Sequence, residues 1–188
     1  MNAWNVYFFS VLNASSGATE FSVAVAKAFA EYAIWSVPFW LTCAWLWGGQ
    51  TLERSAFEAA LAGAVALGIA QLVAAGWNHP RPFAVGLGRQ LMKHAADNSF
   101  PSDHATLMAA VATSLLLQRA SRSLVLAALW FPVAWSRAYL GVHFPFDMLG
   151  GLLIGACSAA AAGSTDSPAG LQRPVAYPFA STGTVHSA

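Results

Sequence analysis

Apolar stretches broken by short clusters of charge, Gly or Pro set the rhythm of this chain. Read as segments able to enter a bilayer, they predict five crossings, at about 21–47, 56–76, 104–118, 123–141 and 146–163. The third run is short for a full crossing, and Pro38 predicts a kink in the first. The opening MNAWNVYFFSVLN has no Lys or Arg ahead of its apolar part and is too short to span. It predicts an interfacial segment over residues 1–20 and neither a signal peptide nor a first crossing. After Gly163 the pattern dissolves into STDSPAGLQRPVAYPFASTGTVHSA, whose Ser, Thr, Gly, Pro and Ala predict a disordered tail over 164–188. No internal repeat is apparent, and one membrane domain, 21–163, accounts for the rest. The expected fold class is all-α: an integral membrane helical bundle of about five to six transmembrane helices.

Composition strengthens this reading. Hydrophobic residues make up 57% of the 188, charged residues 9%, and mean hydropathy is +0.52, whereas soluble domains carry roughly 25% charged residues. The net charge of +1 points to no class of partner, and nothing suggests nucleic acid. Cys43 and Cys157 both sit in apolar runs and read as small buried hydrophobes. Trp45, Trp47 and Trp77 fit interfacial belts, while Trp130 and Trp135 fit packing or lipid-facing positions. Basic residues divide as Arg54, Arg119, Arg122 and Arg173 on one side against Arg81, Arg89 and Lys93 on the other. Discounting those that serve chemistry places the 77–103 loop outside and the tail in the cytoplasm.

Alternating helix direction has a consequence independent of orientation. The end of the second span, the start of the third, the end of the fourth and the start of the fifth share one face. Arg81, then Ser102, Asp103 and His104, then Arg137, then His143 and Asp147 fall at those four places.

Each type suits one task. Ser99 or Ser102 can cap the third span, Pro101 fits near its first turn, and the free amides beyond form an anion cradle with the Ser102 hydroxyl. His104, at the membrane rim, can give or take a proton near neutrality. Pro145 should open the fifth span, placing His143 just before it and Asp147 in its first turn, where a carboxylate can hold one imidazole nitrogen and leave the other bare. Arg81, between two prolines in NHPRPF, and Arg137 offer planar forks for phosphate oxygens. A metal held by His104, His143 and Asp147 is the chemical rival, but two guanidinium charges repel a dication and welcome an oxyanion. Lys27 and Glu31, four apart in the first span, read equally as functional groups or as an ion pair.

These residues resemble the type 2 phosphatidic acid phosphatases, which share an active site with vanadium haloperoxidases. The family pattern is Lys, six residues, Arg-Pro; then Pro-Ser-Gly-His; then Ser-Arg, five residues, His, three residues, Asp. Here stand Arg81-Pro82, Pro101-Ser102-Asp103-His104, and Ser136-Arg137 with His143 and Asp147 at the family spacing. The resemblance spans about residues 21–163 and implies a two-step, metal-free and cofactor-free mechanism. In it His143 attacks phosphorus, Asp147 orients it, His104 protonates the leaving oxygen, and water cleaves the phosphohistidine. Arg81, Arg137, Ser102 and the backbone amide at Asp103 would bind phosphoryl oxygens.

Two departures stand out. The family lysine falls at Ala74, a deficit for which Lys93, Arg89 or His79 in the following loop are the candidates to compensate. Asp103 replaces the usual Gly, and its carboxylate must turn away from a phosphate or pair with an arginine. The phrase HAADNSFPSDHA, with PRPF before it, is similar to the bacterial undecaprenyl-diphosphate phosphatases associated with bacitracin resistance. That resemblance implies a polyprenyl diphosphate substrate and a multi-pass protein of the bacterial inner membrane, its active site at the outer face. A phosphatase for another lipid such as phosphatidate or phosphatidylglycerophosphate, a non-catalytic lipid carrier and a soluble haloperoxidase are the alternatives. Nothing in the pattern speaks to oligomeric state.

Overall fold

The computed structural model describes residues 2–118 and 123–163. The expected tail, 164–188, lies outside them. Among the described residues there are seven α-helices and no strand, only an isolated bridge between Pro80 and Asn98. The helices are α1 (Ala3–Leu12), α2 (Glu20–Tyr32), α3 (Ser36–Trp47), α4 (Gly49–Gly76), α5 (Asp103–Leu117), α6 (Ser123–Tyr139) and α7 (Pro145–Gly163).

The first apolar run does not form one kinked helix. It divides into α2 and α3 through a 3-10 turn at Ala33–Trp35, and Pro38 sits in the first turn of α3, where a missing N–H costs nothing. The second run begins earlier than its hydropathy predicts. Gly49, at φ 66, reverses the chain right after α3, and α4 then runs for 28 residues, about 42 Å at 1.5 Å per residue. Among the described residues, only α4 and α7 are both long and apolar enough to cross a membrane by themselves. The α5 helix, with 15 residues, spans about 22 Å.

Small residues decide how closely these helices approach. Ala56, Ala59, Ala62, Gly63, Ala66 and Ala70 form the buried stripe of α4, at helical spacing. Gly151 and Gly155 of α7 bring its backbone onto α5. A Cβ at Gly155 would lie 2.7 Å from the Ala110 nitrogen, and one at Gly151 would lie 2.9 Å from the Ser102 carbonyl. The α5 helix is thus central, packed against α4, α6 and α7, with Met108, Val111 and Leu115 fully buried. Trp130 of α6 closes this core and donates from Nε1 to the Ala105 carbonyl (3.2 Å). Outward faces are apolar, as at Leu72 (75% exposed) and Phe131 (69%), an arrangement that suits lipid and not water.

At one end of the bundle, α1 lies over the loop that leads into α7. Phe9 meets Phe144 edge-on at 5.3 Å, and Asn5 Oδ1 accepts from the Phe146 amide (3.0 Å). Asn13 donates to the Arg89 and Tyr139 carbonyls (3.1 Å each) and accepts from the Arg89 amide (2.7 Å), joining three segments at this end. Cys43 is half-buried and Cys157 exposed, so neither is the buried hydrophobe its apolar run predicts, and both are free thiols.

Candidate active site

Pro145 fixes the first turn of α7 and Asp147 follows in that turn, while Gly141, at φ 78, bends the chain so that His143 points back beneath it. Asp147 Oδ2 accepts from the Phe144 amide (2.8 Å) and the Ser99 hydroxyl (2.5 Å), and stands 3.4 Å from His143 Nδ1. The Ser99 carbonyl is closer still to Nδ1, at 3.0 Å. Both neighbours are acceptors, so the proton belongs on Nδ1 and the lone pair on Nε2. Burial, then the charges of Arg137 and Arg81, hold His143 well below the ordinary histidine range. A neutral ring with a bare Nε2 is a nucleophile at neutral pH.

Two arginines face that nitrogen. Arg81, stiffened by Pro80 and Pro82, donates from Nη1 to His143 Nε2 (2.9 Å) and the Val142 carbonyl (3.0 Å). Its Nη2 donates to the Asn98 carbonyl (3.2 Å) and its Nε to Asp97 Oδ1 (2.7 Å). Partial burial raises the Asp97 pKa, but the hydrogen bond and charge of Arg81 outweigh this and leave it below the usual carboxylate value. Arg137, in the last turn of α6, reaches the Ala30 carbonyl of α2 through Nη1 (3.3 Å). Its Nη2 lies 3.5 Å from His143 Nε2 and 3.3 Å from His94 Nε2.

Around them is a cavity of about 240 Å³, lined by Arg81, Arg137, His143, His104, Asp103 and His94 among others. The four sequence-distant clusters therefore meet at one place. Asp147 stands behind the wall, holding His143. Ser102 begins α5 as its N-cap but makes no side-chain capping bond, and its amide donates to the Asp147 carbonyl (3.2 Å). Its hydroxyl and Arg137 Nε are buried without a hydrogen-bond partner among the described residues. The Ser102 hydroxyl, at the positive end of α5, and the Arg137 N–H are both donors of a kind suited to phosphoryl oxygens. Asp103 lines the cavity but accepts from Gln71 Nε2 (2.9 Å), a neutral partner and not an arginine.

The missing lysine can be located. Ala74 lines the cavity, whereas Arg89, Lys93 and His79 do not. Arg89 donates to the Ser15 carbonyl, and His79 lies 3.6 Å from Asp147 Oδ1. Lys93 faces a separate cleft of about 510 Å³, shared with Lys27 and Glu31. Sequence reasoning missed the double role of Ser99, whose carbonyl and hydroxyl address the two partners of the His143–Asp147 pair. It also missed His94, Asp97, Asn98 and Gln71. The dense polar run HAADNS was the available signal. Asn98 accepts from the His79 amide (2.8 Å) and donates to the Ala74 and Trp77 carbonyls (2.5 and 2.6 Å), binding the loop to the end of α4.

An all-helical bundle with a carboxylate-backed imidazole facing two guanidiniums defines a class of phosphoryl-transfer protein. The chain belongs to the PAP2 superfamily, whose family model matches residues 55–165. It is 39% identical over 155 residues to YbjG of Escherichia coli (strain K12), covering 80% of this chain and 77% of that one. It is 33% identical over 124 residues to undecaprenyl-diphosphatase BcrC of Bacillus subtilis (strain 168), covering 66% of this chain and 64%, just under two thirds, of BcrC. The crystal structure of Aquifex aeolicus LpxE has the same fold, with a TM-score of 0.70 at 22% identity, over 87% of this chain and 96% of that one.

Proposed function

We propose that the chain is a membrane phosphatase that converts undecaprenyl diphosphate to undecaprenyl phosphate. The observation that carries this reading is the orientation of His143, with Nδ1 held by Ser99 and Asp147 and Nε2 presented to Arg81 and Arg137. The name of BcrC supplies the substrate class.

In this mechanism the terminal phosphoryl group binds between the guanidiniums, with the Ser102 hydroxyl and the first amides of α5 as further donors. His143 Nε2 attacks the terminal phosphorus as the bond to the bridging oxygen breaks. His104 gives its proton to that oxygen, which departs with undecaprenyl phosphate. Water then attacks the phosphohistidine, His104 takes the water's proton, and the N–P bond breaks to release inorganic phosphate. Asp147 keeps the proton on Nδ1 and stabilises the positive charge that develops on the ring. No step requires a metal or cofactor.

Lipid contacts the apolar outer faces in this reading. The segment α2–α3, with α4, α5, α6 and α7, makes five crossings of the bacterial inner membrane, and α1 lies at the interface beside the site. The active site faces the periplasm or cell exterior, where a spent polyprenyl carrier is regenerated.

Phosphate release from a panel of purified lipids, with EDTA present and a His143→Ala control, tests the proposal. Turnover of undecaprenyl diphosphate that His143→Ala abolishes supports it. Failure on that lipid with activity on phosphatidate or phosphatidylglycerophosphate overturns the substrate.

A further inference from the structure

One titratable ring in the cavity has no part in the mechanism above. His94 lies on the loop between Arg81 and α5, with its side chain 24% exposed, and its ring centroid is 6.1 Å from that of His143. Its Nε2 lies 3.3 Å from Arg137 Nη2, and since guanidinium only donates, Nε2 carries the lone pair. The proton is on Nδ1, 3.2 Å from the Ala95 carbonyl and 3.8 Å from Asp97 Oδ1. The same Arg137 Nη2 group thus faces the Nε2 atoms of both His94 and His143. Ala74 lines the same cavity with only a methyl group where the family places a lysine.

We infer that His94 supplies the phosphoryl-binding cation that Ala74 cannot, donating from a protonated Nε2 to the oxygen that Arg137 also grips. The inference rests on the cavity being the phosphate site proposed above. An oxyanion entering between the guanidiniums takes the Arg137 N–H for itself. His94 Nε2 then loses its donor and gains an acceptor, and a proton from solvent completes a charge-assisted hydrogen bond. Asp97, hydrogen-bonded to Arg81, faces Nδ1 and favours the charged ring. The other groups facing the ring are Arg81, Arg137 and His143, with Asp103 and His104 across the cavity on α5. Burial first, then the Arg81 and Arg137 charges, keeps His94 below its usual range before an anion arrives. The ring is therefore neutral until the ligand that needs its charge is bound.

Calorimetric titration of inorganic phosphate into the full chain in detergent micelles tests this without turnover. His94→Ala and His94→Gln should each weaken phosphate binding by at least about tenfold, and adding Ala74→Lys to His94→Ala should restore most of it. The glutamine variant keeps an acceptor for Arg137 but cannot gain a proton. With sulfate, whose own charge is constant, the ratio of wild-type to His94→Gln affinity should grow as pH falls from about 8 to about 6. In the lipid diphosphate assay His94→Gln should raise KM more than it lowers kcat. Unchanged phosphate affinity in His94→Gln overturns the inference, as does a loss in His94→Ala that Ala74→Lys leaves untouched. If the wild-type chain turns over no lipid diphosphate, the proposed substrate fails, while the phosphate titration still decides the role of His94.

Discussion

Arg81 Nη1 lies 2.9 Å from His143 Nε2, so a guanidinium N–H occupies the lone pair that attacks phosphorus in the proposed mechanism. In that mechanism an entering phosphoryl oxygen competes for the N–H, and the anion to be attacked uncovers its own nucleophile. Arg81→Lys keeps the charge but loses the planar fork, which also holds Asp97 and the carbonyls of Asn98 and Val142. Steady-state kinetics should show kcat/KM reduced about 100-fold.

Ser99 and Asp147 act on His143 from one side, and their separate removal should give graded effects. Asp147→Asn loses the carboxylate and should lower kcat by roughly 100-fold or more. Ser99→Ala keeps its carbonyl on Nδ1 and loses the hydroxyl that donates to Asp147 Oδ2 and lies 3.3 Å from His143 Nδ1, so kcat should fall by about tenfold with KM nearly unchanged. Equal losses in the two variants would contradict this division of labour.

Acid should destabilise the folded chain through His143. The folded ring resists protonation, whereas the unfolded one accepts a proton near 6.5, so the unfolded chain binds more protons below that value. The stability contributed by His143 is present above about pH 6.5 and is lost as pH falls towards the depressed folded value. Thermal unfolding in micelles at about pH 7.5 and about pH 5 should show a smaller acid-induced drop for His143→Gln than for wild type.

The contact of α7 with α5 predicts a sharp difference between glycines. Gly155→Ala puts a methyl 2.7 Å from the Ala110 nitrogen and 2.9 Å from Ala109 Cβ, atoms that only a shift of the helix can clear. It should cost about 1–3 kcal/mol and lower the Tm by several degrees. Gly68→Ala on the exposed side of α4, where nothing lies within 4 Å, should leave the Tm unchanged or slightly higher.

Lys93 faces the cleft of Lys27 and Glu31 and not the cavity of His143. Phosphate titration of Lys93→Ala should match wild type within about twofold, because a charge screened by solvent contributes little at that range.

Much of the site was legible because spacing along a helix translates directly into place. Pro145 and the three residues between His143 and Asp147 sufficed to predict a carboxylate behind an imidazole. Alternating helix direction sufficed to bring Arg81, Arg137 and His104 to one end. The lysine substitute was not legible, because residues 77–102 contain only a short 3-10 turn and no period by which to aim a side chain. Lys93 and His94 are adjacent yet face different cavities. Hydropathy likewise located the first run but not its division at Ala33–Trp35, since apolar residues continue unbroken through the turn. Local pattern offers Ser99 or Ser102 as the cap, and Ser102 takes that place, while the partner of the Ser99 hydroxyl, Asp147, lies 48 residues away and beyond any local signal.

The hydrogen bond from Arg137 Nη1 to the Ala30 carbonyl hangs part of the proposed anion grip from α2, a helix whose far side carries Phe21 and Tyr32 outward. That helix is therefore not an interchangeable wall. A chimaera that borrowed this hydrophobic helix from a relative would inherit a new anchor point for the guanidinium, and catalytic efficiency would drift although every motif residue had been kept.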